Sequence, residues 1–214
     1  PQDIADAMER VHGAEIPTYI VPGLVYGLKS SLPDVMRGEE TQVLGSSHHT
    51  SGVFLLPGSH SKWVQMDSGR FLRHRTYLTG ELFSALREHT ILGRLMTSDE
   101  EHPMIFEQGV HTGLRVSTET GGLLHQLFGV RTMGLFDRIP PEALSDYLSG
   151  LLIGAELKDA RRTFIADAQP VHIIANPALT KRYAHALRII KVEAVSADTA
   201  ARGHYTLAQL RDLI

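Results

Sequence analysis

Apolar and polar positions divide the chain into short strands and amphipathic helices. Ile4, Ala7 or Met8 and Val11 recur at helical spacing, which predicts a short helix over Ile4–Val11. Pro17–Gly23 is β-rich and closed by a Pro-Gly turn, Leu24–Pro33 reads as loop, and Met36–Gly45 reads as the start of a helix. A meander of three strands follows: Val53–Leu56, Lys62–Met66 and Arg70–Leu78, with Asp67–Ser68–Gly69 as the tight turn between the last two. Thr79 then suits a helix N-cap, with Leu78 and Phe83 placed as a hydrophobic staple and Leu82, Phe83 and Leu86 facing a core.

From Thr97 to about Arg138 the pattern is helical but broken by Gly and Pro. Phe106, Val110 and Leu114 share one face, as do Leu123 or Leu124, Leu127 and Phe128. A firmer helix is predicted over Pro141–Ala160, with a stripe of Leu144, Leu148, Leu151 or Leu152 and Ala155. Gly150 and Gly154 lie one turn apart on it, which predicts another element packed closely there. Val171–Ala175 is a compact apolar strand, Ala178–Ile189 a helix, Val192–Val195 a strand, and a last helix runs from Asp198. A meander followed by alternating helices and strands defines an α/β fold with a mixed sheet.

Composition narrows the function. With 214 residues, 43% hydrophobic and 21% charged, the chain has ample core for one large domain, or one domain and part of another. A net charge of −3 leaves no basic footprint for nucleic acid. No apolar run approaches a membrane span, and no leader precedes a cleavage site. The absence of cysteine removes disulfide, thiolate and cysteine–zinc chemistry and fits a cytoplasmic location. The chain begins at Pro1 without an initiator methionine, as expected of a processed or excised piece of something longer.

Two stretches carry candidate chemistry. In Val53–Val64, a small-residue loop, Pro57–Gly58–Ser59–His60–Ser61–Lys62, joins two apolar runs. Gly58 lets backbone approach a ligand, Ser59 and Ser61 offer hydroxyls, successive N–H groups can form an anion nest, and Lys62 adds charge. The same composition also suits a plain hairpin corner, and Lys62 at a strand start also suits solvent. Trp63 reads as a core anchor. The second stretch is Arg37–Gly38–Glu39–Glu40. Either it is a solvated first helical turn, or one carboxylate is a general base that Arg37 positions. Adjacent helical residues diverge, so at most one of the two faces a site. Among twelve histidines, His48–His49 with His60 is the densest group, but it lacks the spacing of a metal site.

Met36–Arg37–Gly38–Glu39–Glu40–Thr41–Gln42, Leu56–Pro57–Gly58–Ser59–His60–Ser61–Lys62–Trp63–Val64, Leu78–Thr79–Gly80–Glu81–Leu82 and Ser149–Gly150–Leu151–Leu152–Ile153–Gly154–Ala155–Glu156 occur in that order. Together they resemble the 2-dehydro-3-deoxygalactonokinase family, sugar-acid kinases of the superfamily that includes hexokinase, glycerol kinase, the Hsp70 ATPase and actin. The resemblance runs from about Thr18 to the end.

It implies a two-domain ATP-dependent kinase with ribonuclease-H-like (actin-like ATPase) halves and an active site in the cleft between them. Residues 1–51 would be a remnant of the N-terminal domain and the interdomain segment, and 52–214 the C-terminal nucleotide-binding domain. By similarity, Gly58, Ser59, His60 and Ser61, with Lys62, would bind the ATP phosphates. Glu39, or else Glu40, would be the base, beside Arg37. Ala175, Asn176, Leu179 and Thr180 would form the adenosine loop, beyond the carboxyl end of a strand. The implied reaction transfers the γ-phosphoryl group of ATP, with Mg²⁺, to the C6 hydroxyl of 2-dehydro-3-deoxy-D-galactonate. The chain departs from the family in two places. The aspartate-glycine-threonine loop that positions Mg²⁺ is not found ahead of Gly38, and Asp198–Thr199 does not replace it, so this piece is expected to be inactive alone. Asn176 stands where the family has glycine, and asparagine tolerates a left-handed backbone that would preserve the turn. The partners implied are a sugar acid and ATP, with no nucleic acid or membrane. Self-association is expected if a missing domain exposes apolar surface. The rival readings are a non-catalytic actin-like binding or assembly module and a kinase for a different sugar acid.

Overall fold

The computed structural model describes all residues except 30, 31, 47–50, 99, 166–168, 198 and 199, and the side chains of 200 and 201. Its centre is a five-stranded mixed sheet formed by β5 (Gly52–Leu56), β6 (Ser61–Asp67), β7 (Arg70–Tyr77), β8 (Val171–Ile173) and β9 (Ala194–Ser196). The order across the sheet is β7-β6-β5-β8-β9. β5, β6 and β7 are the antiparallel meander, while β8 pairs parallel with β5, and β9 parallel with β8. The turn into β7 has positive φ at both Ser68 and Gly69, the twist that suits a two-residue hairpin.

Ahead of the sheet lie α1 (Gln2–Asp6), the strand pairs β1 (Glu9–Arg10) with β2 (Tyr19–Ile20) and β3 (Leu24–Tyr26) with β4 (Asp34–Met36), and α2 (Glu39–Gly45). Here the periodicity misled. The first helix stops at Asp6, because Glu9 and Arg10 find strand partners in Ile20 and Tyr19. The expected loop after Pro22 contains β3, paired with a strand that takes up Met36.

After the meander come α3 (Thr79–His89), α4 (Pro103–Leu114), α5 (Gly122–Leu135), α6 (Leu144–Thr163) with a 3₁₀ turn at Pro141–Ala143, α7 (Pro177–Ile189) and α8 (Ala200–Leu210). β5 is apolar at four successive positions because both its faces are covered. Val53 and Leu55, with Trp63 and Ile173, pack against Phe106 and Val110 of α4, Leu157 of α6 and Leu187 of α7. Phe54 and Leu56 turn the other way, to Val43 and Leu44 of α2, Ile4 of α1 and Leu207 of α8. Trp63 is fully buried, as expected of a core anchor.

The paired glycines of α6 have the neighbour their spacing predicts. A Cβ on Gly150 would lie 2.1 Å from the Phe106 carbonyl oxygen, and one on Gly113 of α4 would lie 2.2 Å from that of Leu151. Backbone meets backbone between α4 and α6, and α6 is buried on nearly every side rather than along a stripe. On α5, Leu127 is buried and Leu123 packs on the core, whereas Leu124 and Phe128 face outward. Leu78 is also exposed, so no staple closes α3.

Candidate functional site

The register of β5 and β8 brings two distant segments together. Leu55 pairs with Ile173, and the Ile174 amide donates to the Leu55 carbonyl at 2.9 Å. Both strands then end, β5 into Pro57–His60 and β8 into Ile174–Asn176. The two loops leave the carboxyl edge of the sheet side by side, where open α/β sheets place ligands.

Helix α3 starts against the first loop. The Glu81 amide donates to the Ser59 carbonyl at 2.9 Å, and Gly80 touches the Gly58 backbone. Gly58 itself is under no such constraint: its φ is not positive, and an added Cβ would find only the His60 carbonyl oxygen, at 4.0 Å. Neither packing nor backbone strain demands glycine there, which leaves close approach by a ligand as its physical use. A cavity of about 450 Å³, counting its open mouth, extends from Gly58 and Gly80 past Ser149 and Ile153 of α6 to Leu179 and Tyr183 of α7.

Not all of the expected phosphate-loop residues face that cavity. Ser59 and His60 are exposed at the loop tip, and His60 hydrogen-bonds the exposed Glu81 carboxylate. Ser61 is already in β6 and fully buried, its hydroxyl 2.9 Å from that of Tyr183. Lys62 is buried as well. Its ammonium donates to the Val35 carbonyl at 3.0 Å and to the Thr76 hydroxyl at 2.7 Å, so it faces neither solvent nor the loop. Strand formation turned these two side chains inward.

Those lysine contacts fix the approach to the acidic pair. Asp34 of β4 also accepts from the Thr76 amide and hydroxyl, at 2.7 and 2.6 Å. Burial works to raise the Asp34 carboxyl, but these donors and His74 outweigh it and hold it below the ordinary carboxylate range. Lys62 and Thr76 stand level with Leu56 in the sheet, so β4 delivers α2 at the same edge as the loop. Helix α2 lies on the opposite sheet face from the cavity.

The two carboxylates there differ sharply. Glu40 is fully buried. Its Oε2 accepts from the Gly38 amide at 2.7 Å, and its Oε1 has no hydrogen-bond partner among the described residues. Burial pushes its carboxyl up, and the neighbouring charge of Glu39 adds to this. Glu39 is half-buried and accepts from the Arg37 backbone amide at 2.9 Å, so the contact comes from the main chain. The expectation that the pair diverges is met.

In the second loop, Asn176 is the N-cap of α7. Its side chain accepts from the Leu179 amide at 2.9 Å, with Pro177 in the first turn. Its φ of −61° is extended backbone. The turn therefore needs neither a left-handed residue nor glycine, which corrects the reason given for asparagine. Ala175 is half-buried, and its carbonyl accepts from the Thr180 hydroxyl at 3.3 Å. Of the four adenosine-loop residues, Leu179 lines the cavity.

Sequence reasoning missed the polar group beneath this site. Glu156 of α6 is buried. It accepts from the Trp63 indole at 2.8 Å, the Tyr183 hydroxyl at 2.9 Å and the Thr79 hydroxyl. Thr79 thus gives its hydroxyl to Glu156 rather than capping α3, whose N-cap is Leu78. The signal was present as a lone acid in the apolar run Leu151–Leu157. His48 and His49, like Asp198 and Thr199, lie outside the described residues. Among the described residues, no three histidines and carboxylates converge as metal ligands would.

Fold and site together define an α/β protein with a small-residue loop and a strand-to-helix turn side by side, next to a cavity lined by Gly58 of the loop and Leu179 of the helix after the turn. The family model for 2-keto-3-deoxy-galactonokinase matches residues 1–210. The chain belongs to that family. It is 38% identical over 185 residues to the 2-dehydro-3-deoxygalactonokinase of Escherichia coli (strain K12), which covers 85% of this chain and 61% of the relative. It is 32% identical over 194 residues to a Rhizobium meliloti (strain 1021) protein named Probable 2-dehydro-3-deoxygalactonokinase DgoK1, covering 88% and 63% of the two chains. The crystal structure of a Sinorhizobium meliloti protein described as a candidate 2-dehydro-3-deoxygalactonokinase superposes with a TM-score of 0.82 at 30% identity, over 97% of this chain and 70% of that one. The chain thus spans about three fifths of the length of the curated relatives it matches.

Proposed function

We propose that this chain is the nucleotide-binding part of a kinase that phosphorylates 2-dehydro-3-deoxy-D-galactonate at its C6 hydroxyl with ATP. The observation that carries the proposal is the parallel pairing of β5 with β8, which sets Pro57–His60 and Ile174–Asn176 side by side at one edge of the sheet, next to a cavity that Gly58 and Leu179 line. On this reading Gly58, Ser59 and His60 receive the β- and γ-phosphates through backbone N–H groups and the Ser59 hydroxyl, and Leu179 borders the adenosine. The meander-first strand order supports a ribonuclease-H-like domain over residues 52–214, with 1–51 belonging to the N-terminal domain and the segment between the two.

Glu39 is the base of this proposal and Glu40 is not. A base must reach the hydroxyl it deprotonates, and Glu39 is partly accessible whereas Glu40 is sealed in the core. ATP is used by such kinases with Mg²⁺; among the described residues no three histidines and carboxylates converge, and no residue of this chain is assigned to the ion.

The test is an ADP-release assay on the full-length enzyme with ATP, Mg²⁺ and, in parallel, 2-dehydro-3-deoxy-D-galactonate and its gluconate epimer. Turnover favouring the galactonate is expected. Glu39→Gln should lower it by about two to four powers of ten while sparing ATP binding. Near-normal turnover in that variant would remove Glu39 from the role. ATP binding without turnover on either acid would point to another sugar acid, and no ATP binding would leave a non-catalytic module as the better account.

A further inference from the structure

We propose that Glu156 is a positioning residue for the nucleotide phosphates, its carboxyl fastening together the strand that leaves the loop, β6, and two of the helices that wall the cavity, α3 and α7. The inference rests on the nucleotide-site reading given above. Each of those elements sends a polar group to the same place. Trp63 of β6, three residues past the end of the loop, donates its indole N–H, Thr79 at the start of α3 donates its hydroxyl, and Tyr183 of α7 donates its phenol. Ser61, the first residue after the loop, joins through the Tyr183 hydroxyl. Thr79 and Tyr183 also line the cavity. The loop's outgoing stem, the helix that rests on its tip and the helix that follows the second loop are therefore tied to one point beneath the phosphates.

Stability does not account for this arrangement. Burying a carboxyl with its donors is often no better than filling the volume with apolar side chains, and around Glu156 α6 packs through Ile153, Leu157 and Ala160, its other polar contacts to the sheet being those of Asp159 and Thr163 with the edge strand β7. A hydrogen-bonded anchor does what apolar packing does not: it fixes directions. Each donor must arrive at a set angle and distance, which holds separate backbones within the fraction of an ångström that a preorganised site requires. Burial pushes the Glu156 carboxyl up, against the lowering effect of its donors. The anchor does not depend on charge. With glutamine at this position the Trp63 indole can still donate to the side-chain oxygen, and the two hydroxyls can rotate to accept from the amide.

The experiment uses the wild-type chain and its Glu156→Met, Glu156→Gln and Tyr183→Phe variants, with calorimetric titration of MgATP and of adenosine. Trp63 is the sole tryptophan of the chain, so its fluorescence reads the anchor directly. Glu156→Met should weaken MgATP about tenfold or more and adenosine less than about twofold. Glu156→Gln should restore most of the MgATP affinity. Tyr183→Phe, which removes one hydroxyl and keeps the ring, should show the same selective loss to a smaller degree, and it decides the matter if the methionine variant fails to fold. MgATP but not adenosine should shift Trp63 emission in the wild type. Equal weakening of both ligands, or of neither, in Glu156→Met and Tyr183→Phe would overturn the inference and leave the nucleotide site standing. Failure of the wild type to bind either ligand would overturn both.

Discussion

A methyl group on Gly80 would sit 2.2 Å from the carbonyl oxygen of Gly58, closer than any real contact allows. The first turn of α3 thus rests on the backbone of the loop, and the pair yields opposite expectations. Gly80→Ala should favour the helix by about 1 kcal/mol yet force the loop away, for a net destabilisation of about 1–3 kcal/mol and weakened ATP binding. Gly58→Ala has room for its methyl group, so its stability should stay within about 0.5 kcal/mol of wild type while ATP binding falls. Urea denaturation and ATP titration of the two variants check both halves.

Asn176 caps α7 through its side chain with ordinary φ. Asn176→Ala should therefore destabilise the chain by about 1 kcal/mol, and Asn176→Gly by only a few tenths. Were a left-handed turn needed, glycine would instead stabilise. Chemical denaturation separates the outcomes.

Glu40 has its carboxyl raised by burial in the folded state. A raised group contributes stability that is fully present below its unfolded value of about 4.3 and is lost as pH rises through the folded value. Wild type should therefore lose stability relative to Glu40→Gln on going from about pH 4.5 towards pH 8. His74 works in the opposite sense: burial lowers it, so its contribution fades as pH falls below about 6.5. Both chains carry His74, so the difference between their denaturation midpoints isolates Glu40.

The meander, the helix–strand tail and the close packing at Gly150 and Gly154 were legible because each leaves a local mark, in alternation, turn residues or small-residue spacing. β1 to β4 were not. Strands of two or three residues leave no periodicity, and Met36, expected in a helix, is held in a strand by its pairing with Leu24. At the site, Gly58 and the Glu39–Glu40 divergence could be read from composition and helical geometry. The inward turn of Lys62 could not, since its partners Val35 and Thr76 become neighbours only when β4 docks beside β7. Glu156 was visible as an oddity in an apolar helix, but its donors come from three other elements.

The parallel pairing of Val53 with Val171 bears on the order of assembly. The meander can close from neighbouring segments through tight turns, whereas β8 reaches β5 only after α3 to α6 have been threaded between them, and such non-local pairing is slow. A chain that has formed its hairpins but not seated β8 has the Pro57–His60 loop without the second loop or the α7 wall. Any ligand that requires both loops binds only the finished form and stabilises it by mass action. Its binding during refolding would time the arrival of β8, not the formation of the loop.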